Sequence, residues 1–222
     1  MMKGNMEKKI AVQIDFDGTV TVEDVSFLLL DTFVGPVWRK HLEDYSSGDI
    51  TVGAFNKKVF GMMKVSRNTM LDFIFDSPHV KIRPGFKELV EYCKKQGYKA
   101  VIVSNGLTFY IDALLKVQHI KGVEIHAAQN TFFNGGMEVK YLGPDGKEVD
   151  AGFKEVYVKD FINKGYDVIY IGNGTSDIYA ARLAKTVFAC DDLLKDCLKE
   201  KLAHYPFKDF FEVIKVLGSL HL

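Results

Sequence analysis

Short apolar runs rich in Val and Ile recur along this chain, and most of them lack alternation between apolar and polar residues. Runs of this length are typical of strands that are covered on both faces of a parallel sheet. They predict five strands, at residues 10–14, 98–103, 123–126, 168–171 and 187–190.

Helical periodicity separates several of these strands. Pro84 and Gly97 bracket a predicted helix at 86–95, the placement expected of proline near a helix start and glycine after its end. The other predicted helices of this part of the chain lie at 153–163, 177–184, 193–201 and 208–217. Alternating strands and helices predict a doubly wound, Rossmann-like α/β fold with a parallel sheet.

One long segment, residues 22–83, contains no strand-like run. Its periodicity predicts four helices, at 24–33, 36–45, 52–63 and 67–75, with Asp49 or Thr51 and Ser66 as N-caps. A segment this long exceeds a simple connection. We therefore predict a core domain of residues 10–20 and 84–222, and a helical cap domain of residues 21–83 above the carboxyl ends of the strands.

A smaller irregular segment covers residues 131–152. Turn signals at Asn134-Gly135-Gly136 and Pro144-Asp145-Gly146 flank an extended stretch at 137–142, which predicts a β-hairpin. The polar first nine residues, MMKGNMEKK, lack the apolar stretch of a signal peptide and predict a frayed tail.

Composition excludes several classes of function. The chain of 222 residues carries 29 Lys and Arg against 29 Asp and Glu, so its balanced charge predicts no nucleic-acid or membrane partner. No apolar run approaches the ~20 residues that span a bilayer. Its three cysteines, Cys93, Cys190 and Cys197, form no metal or redox motif, so we expect packing roles and a cytoplasmic location.

Candidate chemistry begins directly after the first strand, at Asp15-Phe16-Asp17-Gly18-Thr19. Side chains alternate along a strand, so Asp15 and Asp17 start on the same side and can converge. Two converging carboxylates repel each other unless a cation or a shared proton lies between them. Asp and Gly are also common in simple turns after a strand. The case for a catalytic motif therefore depends on other polar residues that lie close to it in the fold.

Those residues follow other strands of the predicted sheet. Ser104-Asn105-Gly106 follows the strand at 98–103, Gly172 to Asp177 follows the strand at 168–171, and Lys154 begins the helix before it. The carboxyl ends of parallel strands face one crevice. A phosphoryl group bound to Mg²⁺ needs oxygen ligands for the metal, which the two aspartates offer. It also needs donors and positive charge, which the Ser104 hydroxyl, the Lys154 ammonium group and the glycine-flanked N–H groups offer.

Taken in order, DFDGT, the Ser of VIVSNG, the Lys of GFKEV and GNGTSD resemble the four-motif signature of the haloacid dehalogenase (HAD) superfamily of phosphohydrolases. The insertion after the first motif is similar to the type I capped branch, which includes phosphoserine phosphatases. Within that branch, the carboxyl-terminal stretch from 187 to 213 resembles the enol-phosphate phosphatases of methionine salvage, which act on 2-hydroxy-3-keto-5-methylthiopentenyl-1-phosphate.

The resemblance implies roles for individual residues. Asp15 would be the nucleophile, Asp17 the general acid and base, and Lys154 a shield for the negative charge of an aspartyl-phosphate intermediate. Thr19, Ser104, Asn105 and Gly106 would hold the phosphoryl group. Asp15, the main-chain carbonyl of Asp17, the residue at 173 and, less directly, Asp177 would hold Mg²⁺. The family usually has Asp where this chain has Asn173, which predicts weaker metal binding.

The two acids need opposite protonation states in this reaction. At its ordinary pKa of ~3.9 Asp15 would be ionised at neutral pH. Asp17 must carry a proton, and we expect burial and the nearby Asp15 to raise its pKa.

Specificity is expected from the cap. Asp24 lies where phosphoserine phosphatases carry a Glu for the substrate amine, although it is equally placed to cap a helix. An apolar pocket suited to a methylthio group could be lined by Phe27, Phe55, Met62 and Met63, although such residues are also typical of the core of a cap. Two further residues, Lys64 and Arg67, are candidates for contacting a substrate carboxylate.

Several functions remain open. The first prediction is a Mg²⁺-dependent phosphatase for a small phosphorylated metabolite, acting as a monomer or homodimer. Other substrates are phosphoserine, or phosphoethanolamine and phosphocholine, for which Trp38 and Tyr45 could form an aromatic cage. A non-catalytic metabolite-binding protein of the same fold is the alternative outside enzymes.

Overall fold

A computed structural model describes residues 8–133 and 136–220 of the chain. The described residues form a seven-stranded sheet in the order β4-β3-β2-β1-β5-β6-β7, parallel except for the antiparallel β3–β4 pair. The strands are β1 (Lys9–Ile14), β2 (Lys99–Leu107), β3 (Glu124–Phe133), β4 (Gly136–Lys140), β5 (Tyr166–Gly172), β6 (Thr186–Ala189) and β7 (Tyr205–Pro206).

Helices cover this sheet. Residues 10–14 of β1 are all buried, and because successive side chains point to opposite faces, both faces of the sheet must be covered. The helices are α1 (Val25–Phe33), α2 (Arg39–Ser46), α3 (Val52–Gly61), α4 (Arg67–Asp76), α5 (Phe86–Gln96), α6 (Thr108–Val117), α7 (Phe153–Asn163), α8 (Ile178–Ala181), α9 (Asp191–Glu200) and α10 (Phe210–Ser219). The predicted α/β fold class is confirmed.

Three elements differ from the sequence prediction. Helix α6 was not predicted, because it follows β2 directly and its N-cap, Leu107, provides no polar capping side chain. The predicted helix at 177–184 is a 3₁₀ turn, Thr175–Asp177, followed by the single turn of α8. The short edge strand β7 was also missed, because two residues are too few to show a pattern of apolar and polar positions.

The segment 21–83 contains α1 to α4 and a 3₁₀ turn at Pro36–Trp38. Asp24, Thr51 and Ser66 cap α1, α3 and α4 through their side chains, which decides between the two predicted caps for α3. The ends of the segment run antiparallel, joined at Thr21 and Ile82. The division into a core domain and a cap domain stays a prediction.

The predicted hairpin is formed by β3 and β4, paired from Gln129 with Lys140 to Phe133 with Gly136. Asn134 and Gly135 of the predicted turn lie outside the described residues, as do residues 1–7 of the predicted tail. The second turn is observed, with Gly146 at a φ of 76° between the bridged residues Leu142 and Glu148.

Nowhere in residues 8–133 and 136–220 does the fold contain a helix long and apolar enough to cross a membrane.

All three cysteines are buried and unpaired. Burial raises the thiol pKa of Cys93 and Cys190 to about 12, so almost no reactive thiolate forms near neutral pH. We expect a thiol-reactive chromogenic disulfide to label the folded protein at least about 100-fold more slowly than the denatured protein, in which all thiols react. Rapid labelling of native protein, followed by absorbance, would contradict the packing role of these residues.

Candidate active site

Asp15 follows β1 directly, and its N–H donates to the Ile171 carbonyl of β5 at 2.9 Å. This bond extends the β1–β5 ladder by one residue and fixes the start of the turn Phe16–Val20, which is buried throughout. Gly18 adopts a φ of 75° there, and a Cβ at this position would lie 2.2 Å from Nδ2 of Asn173. The glycine therefore lets the first and last motifs approach each other.

A buried ammonium group joins two of the candidate acids. Nζ of Lys154, at the start of α7, lies 2.8 Å from Oδ1 of Asp15 and 2.5 Å from Oδ1 of Asp177. The side chains of Lys154 and Asp177 are 4% and 0% exposed, so this ion triad is shielded from water. Buried Asp15 and Asp177 hold the pKa of Lys154 above its ordinary value despite the cost of burial, and the lysine stays charged.

Asp177 is fully occupied by protein donors. Its Oδ1 accepts from Lys154 and from the hydroxyl of Tyr170 at 2.6 Å, and its Oδ2 accepts from the N–H groups of Asn173 and Gly174. This geometry does not favour Asp177 as a direct metal ligand, and the less direct contribution that the resemblance implies stays a prediction. The residue instead holds Lys154 and the loop after β5 in place.

Burial raises the pKa of both acids of the first motif, which was expected for Asp17 but not for Asp15. Burial, with a further contribution from the charge of Asp177, raises the pKa of Asp15 to about 7, while Lys154 opposes the rise. The expectation of a fully ionised Asp15 is therefore not met by the protein groups alone. Burial and then the charge of Asp24 raise the pKa of Asp17 to about 7. Asp24 is thus the neighbouring charge that contributes most to the raised pKa of Asp17, and the charge of Asp17 in turn contributes to the raised pKa of Asp15.

The second motif lies within β2 instead of after it. The pairing of β2 with β3 is irregular between Ser104 and Leu107, as in a bulge, and bulges are common beside active sites. Ser104 is 1% exposed and its Oγ accepts from the N–H of Gly106 at 3.0 Å. Oδ1 of Asn105 is buried and has no hydrogen-bond partner among the described residues.

The residues predicted to hold a metal offer oxygen atoms: the carboxylate of Asp15, the carbonyl of Asp17 and the side-chain amide of Asn173. Oδ1 of Asn173 accepts from the Thr19 hydroxyl at 2.8 Å, which fixes its orientation. Within the described part of the chain, no cluster of three His, Cys, Asp or Glu side chains is placed to hold a metal. Such a cluster is not required, because Mg²⁺ binds through one or two carboxylates, waters and substrate oxygens. This donor set fits Mg²⁺.

Asp24 accepts from the N–H of Phe27 at 2.8 Å and so acts as the N-cap of α1. Partial burial, and to a lesser extent the charge of Asp15, nevertheless raise the pKa of Asp24 to about 6.

Some of the remaining cap candidates are buried, and others have exposed surface or contacts with neighbouring groups. Phe55 and Met63 are buried in the hydrophobic core, as the structural alternative predicted. Phe27 is 37% exposed. Nζ of Lys64 donates to the Gly61 carbonyl, and the guanidinium of Arg67 lies 5.8 Å from the ring centre of Phe109.

Sequence reasoning missed Arg83, where the chain returns from segment 21–83. Its guanidinium donates to the carbonyls of Gly18 and Thr19 at 2.7 and 2.8 Å, and to that of Lys208. A lone arginine before a proline gives no signal of this role. Tyr170, and the Tyr110 and Ser26 described below, were missed because an apolar pattern does not reveal where a buried hydroxyl points.

Helix α3 attaches segment 21–83 beside the second motif. Nδ2 of Asn56 donates to the hydroxyl of Tyr141 at 2.8 Å, and that hydroxyl donates to the carbonyl of Asn105 at 2.7 Å. At the surface, Lys57 forms ion pairs with Glu148 and Asp150. The helical segment therefore touches a strand end that carries candidate phosphate-binding groups.

Comparison with known proteins gives consistent results. The family model for haloacid dehalogenase-like hydrolases matches residues 12–182. The chain is 30% identical to the 2-hydroxy-3-keto-5-methylthiopentenyl-1-phosphate phosphatase of Geobacillus kaustophilus, over 98% of this chain and 99% of that protein. It is 29% identical to the protein of the same name from Brevibacillus brevis, over 97% and 98% of the two chains.

Among solved structures, a phospho-aspartyl intermediate analogue of phosphoserine phosphatase matches with a TM-score of 0.69 at 18% identity, over 94% of this chain and 98% of that one. At this identity the match speaks for the fold alone. The family match extends over most of the chain, and it agrees with the order of the motifs and the α/β architecture. The chain therefore belongs to the haloacid dehalogenase-like hydrolase family.

Proposed function

We propose that this hydrolase is a Mg²⁺-dependent phosphatase that moves the phosphoryl group of a small metabolite onto Asp15 and then onto water. The observation that carries the proposal is the buried triad in which Lys154 bridges Asp15 and Asp177 at 2.8 and 2.5 Å. A buried cation held against a carboxylate at a strand end is costly to maintain as structure alone. It is useful where negative charge accumulates during phosphoryl transfer.

The chain's own groups account for the two half-reactions. Asp15, with its main chain fixed to β5, attacks phosphorus while Lys154 offsets the negative charge. Asp17 gives a proton to the departing oxygen and then takes one from the attacking water. Thr19, Ser104, Asn105 and Gly106 would bind the phosphoryl oxygens. The Ser104 hydroxyl accepts from the Gly106 N–H and keeps its own proton to donate, whereas the Thr19 hydroxyl would exchange its bond to Asn173 for one to phosphate.

Mg²⁺ would be held by the carboxylate of Asp15, the carbonyl of Asp17 and the amide oxygen of Asn173. When bound, the ion supplies positive charge that favours the ionised form of Asp15 and reduces its repulsion from the phosphate dianion. Arg83 fixes the carbonyls of Gly18 and Thr19, the residues that follow Asp17 in this turn.

The substrate we favour is 2-hydroxy-3-keto-5-methylthiopentenyl-1-phosphate, the compound named for the two relatives that match nearly the whole chain. The exposed part of Phe27 and the partly buried Met62 offer apolar surface suited to a methylthio group. We also place the enzyme in the cytoplasm, where buried thiols stay reduced. The expectation of a monomer or homodimer stays a prediction.

The alternative substrates are supported less well. Trp38 is 1% exposed, its Nε1 donates to Asp31, and its ring faces Phe27 at 4.9 Å and Arg39 at 4.6 Å. It has no free face for a quaternary amine, which argues against phosphocholine. For phosphoserine, the amine would have to approach Asp24, which is engaged as an N-cap.

The decisive experiment is phosphate release from a panel of phosphorylated metabolites, including the enol-phosphate, phosphoserine and phosphoethanolamine, in Mg²⁺ and in EDTA. We expect release that requires Mg²⁺ and is fastest with the enol-phosphate. Binding of these compounds without any release, with or without Mg²⁺, would instead identify a non-catalytic binding protein.

The amide at position 173 leads to a separate prediction. Asn173→Asp adds a negative charge to the donor set in nearly the same shape, so we expect Mg²⁺ to bind about 10-fold more tightly. Isothermal titration with Mg²⁺ alone measures this directly. Asn130→Asp, on β3, serves as a control for the added charge. Equal or weaker Mg²⁺ binding by Asn173→Asp would remove Asn173 from the proposed metal site.

A further inference from the structure

We propose that Tyr110 and Ser26 are positioning residues for Asp17, and that together they leave its Oδ1 as the atom that delivers the proton to the leaving group. The inference rests on the proposed phosphatase function and adds two residues that none of the four sequence motifs contains.

The hydroxyls of both residues meet one oxygen of Asp17. The Tyr110 hydroxyl donates to Oδ2 at 2.5 Å. The Ser26 hydroxyl lies 3.1 Å from the same oxygen and 2.8 Å from the Tyr110 oxygen, so its proton can go to either. Tyr110 is 0% exposed, and Ser26 and Asp17 are also buried. Water therefore does not compete for these bonds, and they restrict rotation of the carboxyl group.

The other oxygen of Asp17 is left free. Oδ1 is buried and has no hydrogen-bond partner among the described residues. An unpartnered buried carboxyl oxygen is costly, and a catalytic role is one of the recognised reasons for such an atom in a folded protein. In the proposed step, the bond from Asp15 to phosphorus forms as the bond from phosphorus to the leaving oxygen breaks. The proton on Oδ1 moves to that oxygen, and Asp17 becomes a carboxylate that still accepts from Tyr110.

Gly106 makes room for this arrangement. A Cβ at this position would lie 2.0 Å from the Tyr110 hydroxyl and 2.2 Å from Oδ2 of Asp17. Any other residue there would push the tyrosine away from the acid. The glycine predicted to bind phosphate therefore has a second function that a loop motif does not reveal.

The two hydroxyls come from different parts of the chain. Tyr110 is on α6, which directly follows β2, and Ser26 is in the first turn of α1, two residues after the N-cap Asp24. The orientation of Asp17 thus depends on where α1 lies. Movement of α1 away from the sheet would remove one of the two contacts while leaving the tyrosine in place.

The test compares two substrates of similar shape, phenyl phosphate and p-nitrophenyl phosphate. Phenolate is a poor leaving group and needs the proton, whereas p-nitrophenolate departs as a stable anion. For Tyr110→Phe we expect kcat/KM to fall roughly 10- to 100-fold with phenyl phosphate and by no more than about threefold with p-nitrophenyl phosphate. We choose kcat/KM because it reports only the steps up to and including departure of the leaving group, and not the later hydrolysis of the phospho-enzyme.

Ser26→Ala should show the same selectivity with a smaller loss, and it retests the proposal if Tyr110→Phe folds poorly by thermal denaturation. Tyr157→Phe is the matched control, since this buried hydroxyl donates to the Leu142 carbonyl, away from Asp17. Equal losses on both substrates, or none in either variant, would overturn the positioning role while the phosphatase proposal stands. If the unaltered protein hydrolysed neither aryl phosphate and also released no phosphate from the metabolite panel with Mg²⁺, the phosphatase proposal would fail first and this inference with it.

Discussion

Replacing Asp15 by Asn is expected to reduce kcat by at least about 10⁴-fold, because an amide cannot form the acyl-phosphate. The fold should survive the change. Lys154 keeps Asp177 as a partner at 2.5 Å, so no buried charge is left alone. Burial also disfavours the charged form of Asp15, which limits what the neutral amide costs. We expect the free energy of unfolding to change by less than about 2 kcal/mol. Phosphate release and denaturant unfolding measure the two quantities.

Asp145→Asn provides the control, because its side chain is 60% exposed in the turn near β4. It should retain full activity. A second readout is covalent labelling: acid quenching during turnover should trap phosphate on the unaltered protein and none on Asp15→Asn. Substantial turnover or labelling in Asp15→Asn would place the nucleophile elsewhere.

Replacing Lys154 by Met has the second largest expected effect, and it acts on stability as well as on activity. Methionine fills similar space but leaves Asp15 and the fully buried Asp177 without their shared cation. Removing one partner of a buried ion pair costs about 3–5 kcal/mol. Loss of charge stabilisation should lower kcat by at least about 10²-fold. Urea unfolding and steady-state kinetics measure the two losses.

The double variant Lys154→Met/Asp177→Asn separates the two effects. It removes the more deeply buried of the two acids that the single variant leaves without a cation, so we expect at least about 2 kcal/mol of stability to return. Activity should stay low, since the cation is still missing. A double variant no more stable than Lys154→Met would show that the triad is not the source of the lost stability.

The pH dependence of Lys154→Met follows from the pKa of Asp15. Burial and Asp177 raise this pKa and Lys154 lowers it, so removing the lysine should move it above about 7. An acid whose pKa is higher in the folded than in the unfolded state binds protons preferentially when folded, and stability then falls as the pH rises. In metal-free buffer, the free energy of unfolding that Lys154→Met loses relative to the unaltered protein should therefore be larger at about pH 8 than at about pH 6. A deficit independent of pH would contradict the contact with Asp15.

The sequence by itself determined the fold class and the residues that meet in the crevice. Unbroken Val and Ile runs fix buried parallel strands, and the topology of a parallel sheet then brings Asp15, Ser104 and Asn173 to one edge. Local rules also located the capped helices α1, α3 and α4, because a hydroxyl or carboxylate before an apolar period marks a helix start.

Only the tertiary structure decided what each polar group contacts. Whether Asp177 is a ligand or a support depends on four donors, two of which come from Lys154 and Tyr170 at other places in the sequence. The same holds for Arg83 on the turn carbonyls and for Tyr110 and Ser26 on Asp17. These contacts, at distances of 2.5–3.1 Å, join residues that lie between 7 and 93 positions apart in the chain. Hydrophobic periodicity reports which face of an element is buried, and it contains no information about the direction of a single hydroxyl or guanidinium group.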